Sequence, residues 1–361
     1  THGADAKAVE PEHSQTALMW AVSQNHPKAA AVLIEFGADV KARSRSYQQT
    51  VVGEQTQRAG REELNYNVAR GGSTPLLFAA RSGDVESAKL LLSKGADPND
   101  ALPDGTSALT LAAHSGNREV ALALLEKGAN PNDLGIGCAP LHAAILRGDL
   151  VLVKALLAKG ADPNLRMTKA TPVRRNSTDY FLLAPTVGST PYLLAARFVE
   201  AEMMQAMLAK GADAKSTMPN GATAVMLAAG VGSKITEDRR GINVIDYGKL
   251  EPESKVLPAV EAAFNASQQA GGATSNGDTA LHAAVTYRYE KVVEFLAGHG
   301  ADLNAKNKDG VTPMGLLAKR RLNDRAPVSA ATAANVNANI TEQEPATERL
   351  IAILRKFGAT E

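Results

Sequence analysis

The 361 residues carry 39 basic and 38 acidic side chains, a formal charge of +1, and are 44% hydrophobic but only 4% aromatic. That balance excludes a globally basic nucleic-acid binder and an acidic disordered tail, and it leaves Ala, Leu, Val and Ile to build the core. The single cysteine excludes an intrachain disulfide framework and a Cys-rich zinc or iron–sulfur site, and no apolar run reaches the roughly 18 residues that a membrane-spanning helix needs.

The chain opens on Thr1 and the phrase His2-Gly3-Ala4-Asp5, which further on closes a repeat. Residues 1–8 are therefore expected to be the end of an upstream repeat, a start that fits an exported bacterial protein. Self-similarity governs the rest of the chain. Related openings stand at Thr16, Thr74, Ser107, Ala139, Thr190, Thr223, Thr279 and Thr312, with repeats starting near 14, 72, 105, 137, 188, 221, 277 and 310. Uninterrupted, the unit is 33 residues, as from Thr74 to Ser107. A glycine followed by Ala and then Asp or Asn lies 21 residues after most openings, at Gly37, Gly95, Gly128, Gly160, Gly211 and Gly300.

Each landmark has a physical reason. The opening Thr or Ser can cap a helix by accepting a backbone N–H of its first turn. Pro75, Pro140, Pro191 and Pro313 fall at the first helical position, where a missing N–H costs nothing. Ala pairs such as Ala79-Ala80 and Ala112-Ala113 let helices approach closely. A second apolar helix comes next, over Val85–Ser93 in one repeat and Val151–Ala158 in another. Gly95 and its equivalents are expected to end it in a left-handed conformation, and Asp97-Pro98-Asn99 then turns into the next repeat.

The pattern resembles the ankyrin repeat, best over Gly72–Arg166. Ala139-Pro140-Leu141-His142-Ala143-Ala144 is similar to that family's T-P-L-H-x-A motif with Ala in place of Thr, and Thr279-Ala280-Leu281-His282-Ala283-Ala284 is a second near match. The resemblance implies an all-α solenoid of about eight repeats with β-hairpin-like fingers. It also implies that the motif histidines His142 and His282 hydrogen-bond between neighbouring repeats, a structural role rather than metal binding.

Four segments interrupt the period: 43–71, 167–187, 231–253 and 321–344. The first two should extend fingers. Within the repeat at Thr223 the second helix is expected over Lys255–Ala266, and the last helix of the chain over Ala346–Phe357, capping the array. Loops of this length are tolerated at a surface but are uncommon unless functional or disordered. They are either harmless excursions or, for 43–71 and 167–187, the edge of a binding site.

No phosphate loop, nucleophile elbow or His-x-x-x-His pair is present, so no catalytic residue, metal or cofactor is expected. Cys138 reads as a small packing residue, with no base to activate it. Glu237-Asp238-Arg239-Arg240 reads as a solvated charge run. In ankyrin arrays the partner usually meets the finger tips and the concave face of the first helices, where the seventh and eighth positions after each opening should point. These positions supply Arg81, His114, Leu146, Arg147, Arg197, Phe198, Tyr287 and Arg320, basic or apolar and without an acid. The finger insertion 167–187 adds Arg174, Arg175 and Tyr180, and 43–71 carries five Arg against three Glu.

Arginines and aromatics are the usual anchors of interfaces. The expected function is a non-catalytic protein-binding scaffold whose partner presents an acidic surface, with neither nucleic acid nor a membrane span involved. Two alternatives stand beside it. One is an accessory domain or subunit of a larger, exported enzyme complex. The other is a small-molecule or glycan site formed by the insertions, with Arg174, Tyr180 and Phe181 lining it.

Overall fold

The computed structural model describes residues 5–54, 63–170, 186–232, 251–317 and 333–360. Two compact units divide them, one ending at Pro191 and the other beginning at Tyr192.

The first unit is built from helical pairs: α1 (Ala17–Ser23) with α2 (Pro27–Glu35), α3 (Pro75–Ser82) with α4 (Val85–Ser93), α5 (Ala108–Ser115) with α6 (Arg118–Glu126), and α7 (Pro140–Arg147) with α8 (Leu150–Ala158). The helices start where the sequence places a cap. Thr16, Thr74 and Ser107 accept the N–H groups of Met19, Leu77 and Thr110. The first helices α1, α3, α5 and α7 stack in a row, and the second helices α2, α4, α6 and α8 stack in another. Between the rows Leu76, Leu77, Ala79, Ala80, Ala88 and Leu91 are wholly buried. Small alanines at the contact let short helices come close enough for the leucines to exclude water, so each pair depends on its neighbours for burial.

Polar groups tie successive repeats together. The Asn117 side-chain amide donates to the carbonyls of Ala80 (2.9 Å) and Arg81 (3.0 Å). Arg118 Nε donates to Asp149, which also caps α8 through Leu152 N–H (2.9 Å). In the turns, Asn99 Oδ1 accepts Asn130 N–H and Asn132 Oδ1 accepts Asp162 N–H, each at 2.7 Å. The last Asn of the Asp97-Pro98-Asn99 and Asn130-Pro131-Asn132 turns thus supplies an acceptor to the next repeat.

The finger expected at 43–71 is a two-stranded antiparallel hairpin, β1 (Tyr47–Glu54) and β2 (Glu63–Arg70), with Tyr47 opposite Arg70 and Glu54 opposite Glu63. Its base is clamped by Arg43, which donates to the carbonyls of Gly72 (2.8 Å) and Ala101 (3.1 Å) and pairs with Asp100. Gly71 closes the base with φ +71, and a Cβ there would lie 1.8 Å from the Arg45 carbonyl oxygen. Only glycine permits that approach. The base of the segment 167–187 is held by Met167, whose N–H donates to Ser189 and whose carbonyl accepts from Gly188. Residues 171–185, including Arg174, Arg175, Tyr180 and Phe181, lie outside the described residues.

The second unit contains α9 (Pro191–Arg197), α10 (Ala201–Leu208), the short α11 (Ala224–Ala228), α12 (Glu253–Ser267), α13 (Ala280–Thr286), α14 (Glu290–Gly298) and α15 (Ala333–Lys356). Helix α12 occupies the place expected for Lys255–Ala266. It ends four residues before the Gly271-Gly272 pair, with Gln268 in the left-handed region. Helix α15 starts at Ala333, well before the expected Ala346, so part of the 321–344 stretch is helical. The alanines there favour helix. Its C-terminal part packs on α14 through Arg349–Glu290 (2.9 Å) and Lys356–Glu294 (2.9 Å). Among the described residues no helix is long and apolar enough to cross a membrane.

Candidate functional site

The motif histidines do what the resemblance implies. His142 is wholly buried; its Nδ1 accepts Ala139 N–H (3.1 Å), which leaves Nε2–H to donate to the Ser189 carbonyl of the next repeat (3.4 Å). His282 repeats the arrangement in the second unit, with Nδ1 accepting from Thr279 N–H and Oγ1 and Nε2–H donating to the Val311 carbonyl (2.9 Å). Burial lowers the His142 pKa to about 4, and the surrounding carbonyls only partly offset it. A ring held neutral with both nitrogens engaged is a strut, not a ligand or a base. Cys138 is equally inert: burial pushes its thiol up to about 12, with the charge of Asp133 adding to the effect.

The first-helix row is less uniform than its sequence suggests. Arg81 ends α3, exposed, with no hydrogen bond or ion pair from its guanidinium to a described residue. Surrounding atoms still desolvate the head group and lower its pKa, an effect that Asp104 opposes. It stays cationic. His114 ends α5, half-buried. Arg147 lies across Gly116, donating from Nη2 to the Ser115 carbonyl at 3.3 Å. Leu146, expected at the surface, is wholly buried. It shares its register with Arg81, but an aliphatic side chain there gains by turning into the core, whereas a guanidinium reaches past it to water.

In the second unit Arg197 donates to the Gly232 carbonyl (2.9 Å), and the Tyr287 ring covers Gly230, where a Cβ would meet it at 2.6 Å. Both therefore hold the segment that leaves α11. Phe198, next in sequence to Arg197, is half-buried. Arg320 lies outside the described residues.

In the first unit a cavity of about 190 Å³ lies where the hairpin base meets α3. Arg45, Arg70 and Arg81 line it together with His13, Tyr47 and Asp104. Arg45 comes from the chain entering β1, Arg70 from the end of β2 and Arg81 from the end of α3. The His13 and Tyr47 rings meet edge-on at 6.1 Å. The arginine excess of 43–71 was the one signal in the sequence; the hairpin register that aims Arg70 back at the body was not readable from spacing.

Against known families, the description for ankyrin repeats in three copies matches residues 45–135 and 76–167, and that for the single ankyrin repeat matches 13–45 and 276–308. Among solved structures, the ankyrin repeat domain of human ASB11 aligns with 94% of this chain and 98% of that domain at 18% identity, with a TM-score of 0.43. With its capped helical pairs, its inter-repeat histidines and family matches over more than half of its length, the chain belongs to the ankyrin-repeat family.

Proposed function

We propose that the protein is a non-catalytic scaffold that holds an acidic partner along the ends of its first helices. Ankyrin repeats generally mediate protein–protein interaction. One observation carries the finer reading: α3, α5 and α7 stack directly and each carries a basic residue in its last turn, Arg81, His114 and Arg147, above a sealed apolar core. A row of donors on rigid, neighbouring elements loses little on binding, and Arg is suited to carboxylates. Arg197, Phe198 and Tyr287 are the corresponding contacts proposed for the second unit.

The test is site-specific photocrosslinking in extract of the native source, with benzoylphenylalanine at position 114, at the exposed Lys127 beyond α6, and at neither. A protein crosslinked from 114 and not from 127, and lost when Arg81→Glu is added, supports the row. Equal crosslinking from both positions, or indifference to Arg81→Glu, rejects it.

A further inference from the structure

We propose that the cavity between the hairpin base and α3 is an oxyanion site, taking one carboxylate or phosphate group. This goes beyond scaffold binding, and it shares only Arg81 with the proposed row. Three arginines from separate elements line the space, while Asp104 is the one acidic residue lining it among the described residues. Cations confined around a small volume repel one another, so the arrangement is complementary to an anion they enclose.

Their donors are largely uncommitted. Arg45 gives one N–H to the Pro11 carbonyl (3.1 Å), Arg70 gives Nε–H to Gln49 Oε1 (3.1 Å), and Arg81 gives none to a described residue. Asp104 Oδ1 accepts from Thr106 N–H (2.9 Å) and Oγ1 (2.7 Å). A guanidinium fork matches the paired oxygens of a carboxylate or phosphate.

Size and placement narrow the occupant. Pockets for whole organic ligands run to about 300–1,000 Å³, so 190 Å³ admits one acidic group rather than a whole ligand. The insertion makes the site. Arg70 is supplied by the lengthened finger, and Gly71 lets the two strands of the base approach closely beside Arg45. The Arg43–Asp100 clamp fixes that base on the next repeat, so the donors are held in place before any ligand arrives.

The anion could arrive free in solution or on an acidic peptide side chain, and the experiment separates these. The full-length protein, labelled with ¹⁵N-arginine, is titrated with sodium phosphate and separately with hexaglutamate at constant ionic strength. The arginine Nε–H signals are followed and assigned by Arg81→Gln and Arg70→Gln. The expected result is saturable movement of the Arg70 and Arg81 signals. Each of these variants should weaken binding roughly ten-fold or more, the usual range for a hydrogen bond to a charged group, while Lys127→Gln binds as the parent does.

Saturation by phosphate shows a site for free oxyanions, and saturation by hexaglutamate alone shows one for an acidic side chain. No saturable movement with either, or equal weakening by Lys127→Gln, overturns the proposal. Because no partner protein is present, the outcome is independent of the photocrosslinking result.

Discussion

Two stretches of the molecule solve the same turn differently. In the repeats opening at Thr74, Ser107 and Ala139 the chain passes from first to second helix through Gly83, Gly116 and Gly148, at φ +83, +79 and +70. In the second unit's repeats opening at Thr190 and Thr279 the same position is Val199 (φ 52) and Arg288 (φ 59). The backbone takes the left-handed conformation whether or not the residue favours it. Stacking of helical pairs dictates the turn, and glycine only makes it cheap. Val199 shows how the cost is met: it is 5% exposed, and burial of its side chain offsets the strain. Regular spacing and glycine turns coincide from Thr74 to Gly148, directly after the finger insertion that borders the cavity.

The largest effect expected from this contrast lies at His142. Its pKa falls from 6.5 to about 4 on folding, so between those values the unfolded chain binds the proton more tightly. The contribution is present above pH 6.5 and is lost as pH falls towards 4. It amounts to roughly 3 kcal/mol in full, of which about 2 is lost by pH 5. Urea denaturation at pH 7 and pH 5 should show this loss in the parent and a much smaller one in His142→Asn. Identical pH dependence in the two proteins would mean that the ring does not titrate in this window.

Next comes the turn itself. Gly148→Val places in the first unit the residue that the second unit uses at Val199. Gly148 is exposed, so no burial compensates the left-handed backbone, and a loss of about 1–3 kcal/mol is expected in urea unfolding. Asn25, at φ 57 in the first repeat, marks the opposite limit: Asn tolerates this region, and Asn25→Gly should change stability by less than about 0.5 kcal/mol. A silent Gly148→Val would show that the turn can relax, and the glycines would then need another explanation.

Much of this was legible in the chain. The caps at Thr16, Thr74 and Ser107 and the histidine struts come from residue type and register, because a cap or a strut is a local demand that recurs with the repeat. Two things were not. Leu146 and Arg81 occupy one register position, and spacing cannot tell which side chain turns inward, since that depends on apolarity as well as helix phase. The cavity needs Arg45, Arg70 and Arg81 from three elements; β-pairing across a long loop sets Arg70, and the repeat pattern carries no information about it. The row at Arg197 and Tyr287 was similarly obscured, because both side chains are engaged by Gly230 and Gly232 at the exit of α11.

The smallest expected effect tests whether the two histidine motifs are equivalent. At Ala139 the cap hydroxyl is missing, and His142 Nδ1 is bonded by the backbone N–H alone. At Thr279 the hydroxyl both accepts His282 N–H (3.4 Å) and lies 2.9 Å from Nδ1. Since Nδ1 already accepts Thr279 N–H, the hydroxyl must donate to it. Thr279→Ala converts the second motif into the first. Thr279 N–H still holds the ring, and Nε2–H still reaches Val311, so the strut should survive and only the cap be lost, about 1 kcal/mol. Repeat arrays can unfold in parts, so hydrogen exchange of the α13 amides is the appropriate measure: protection should fall roughly five-fold there and little in α5. A loss several times larger would show that the hydroxyl–imidazole bond holds the strut itself, and that the motif at Ala139 depends on compensation elsewhere in its repeat.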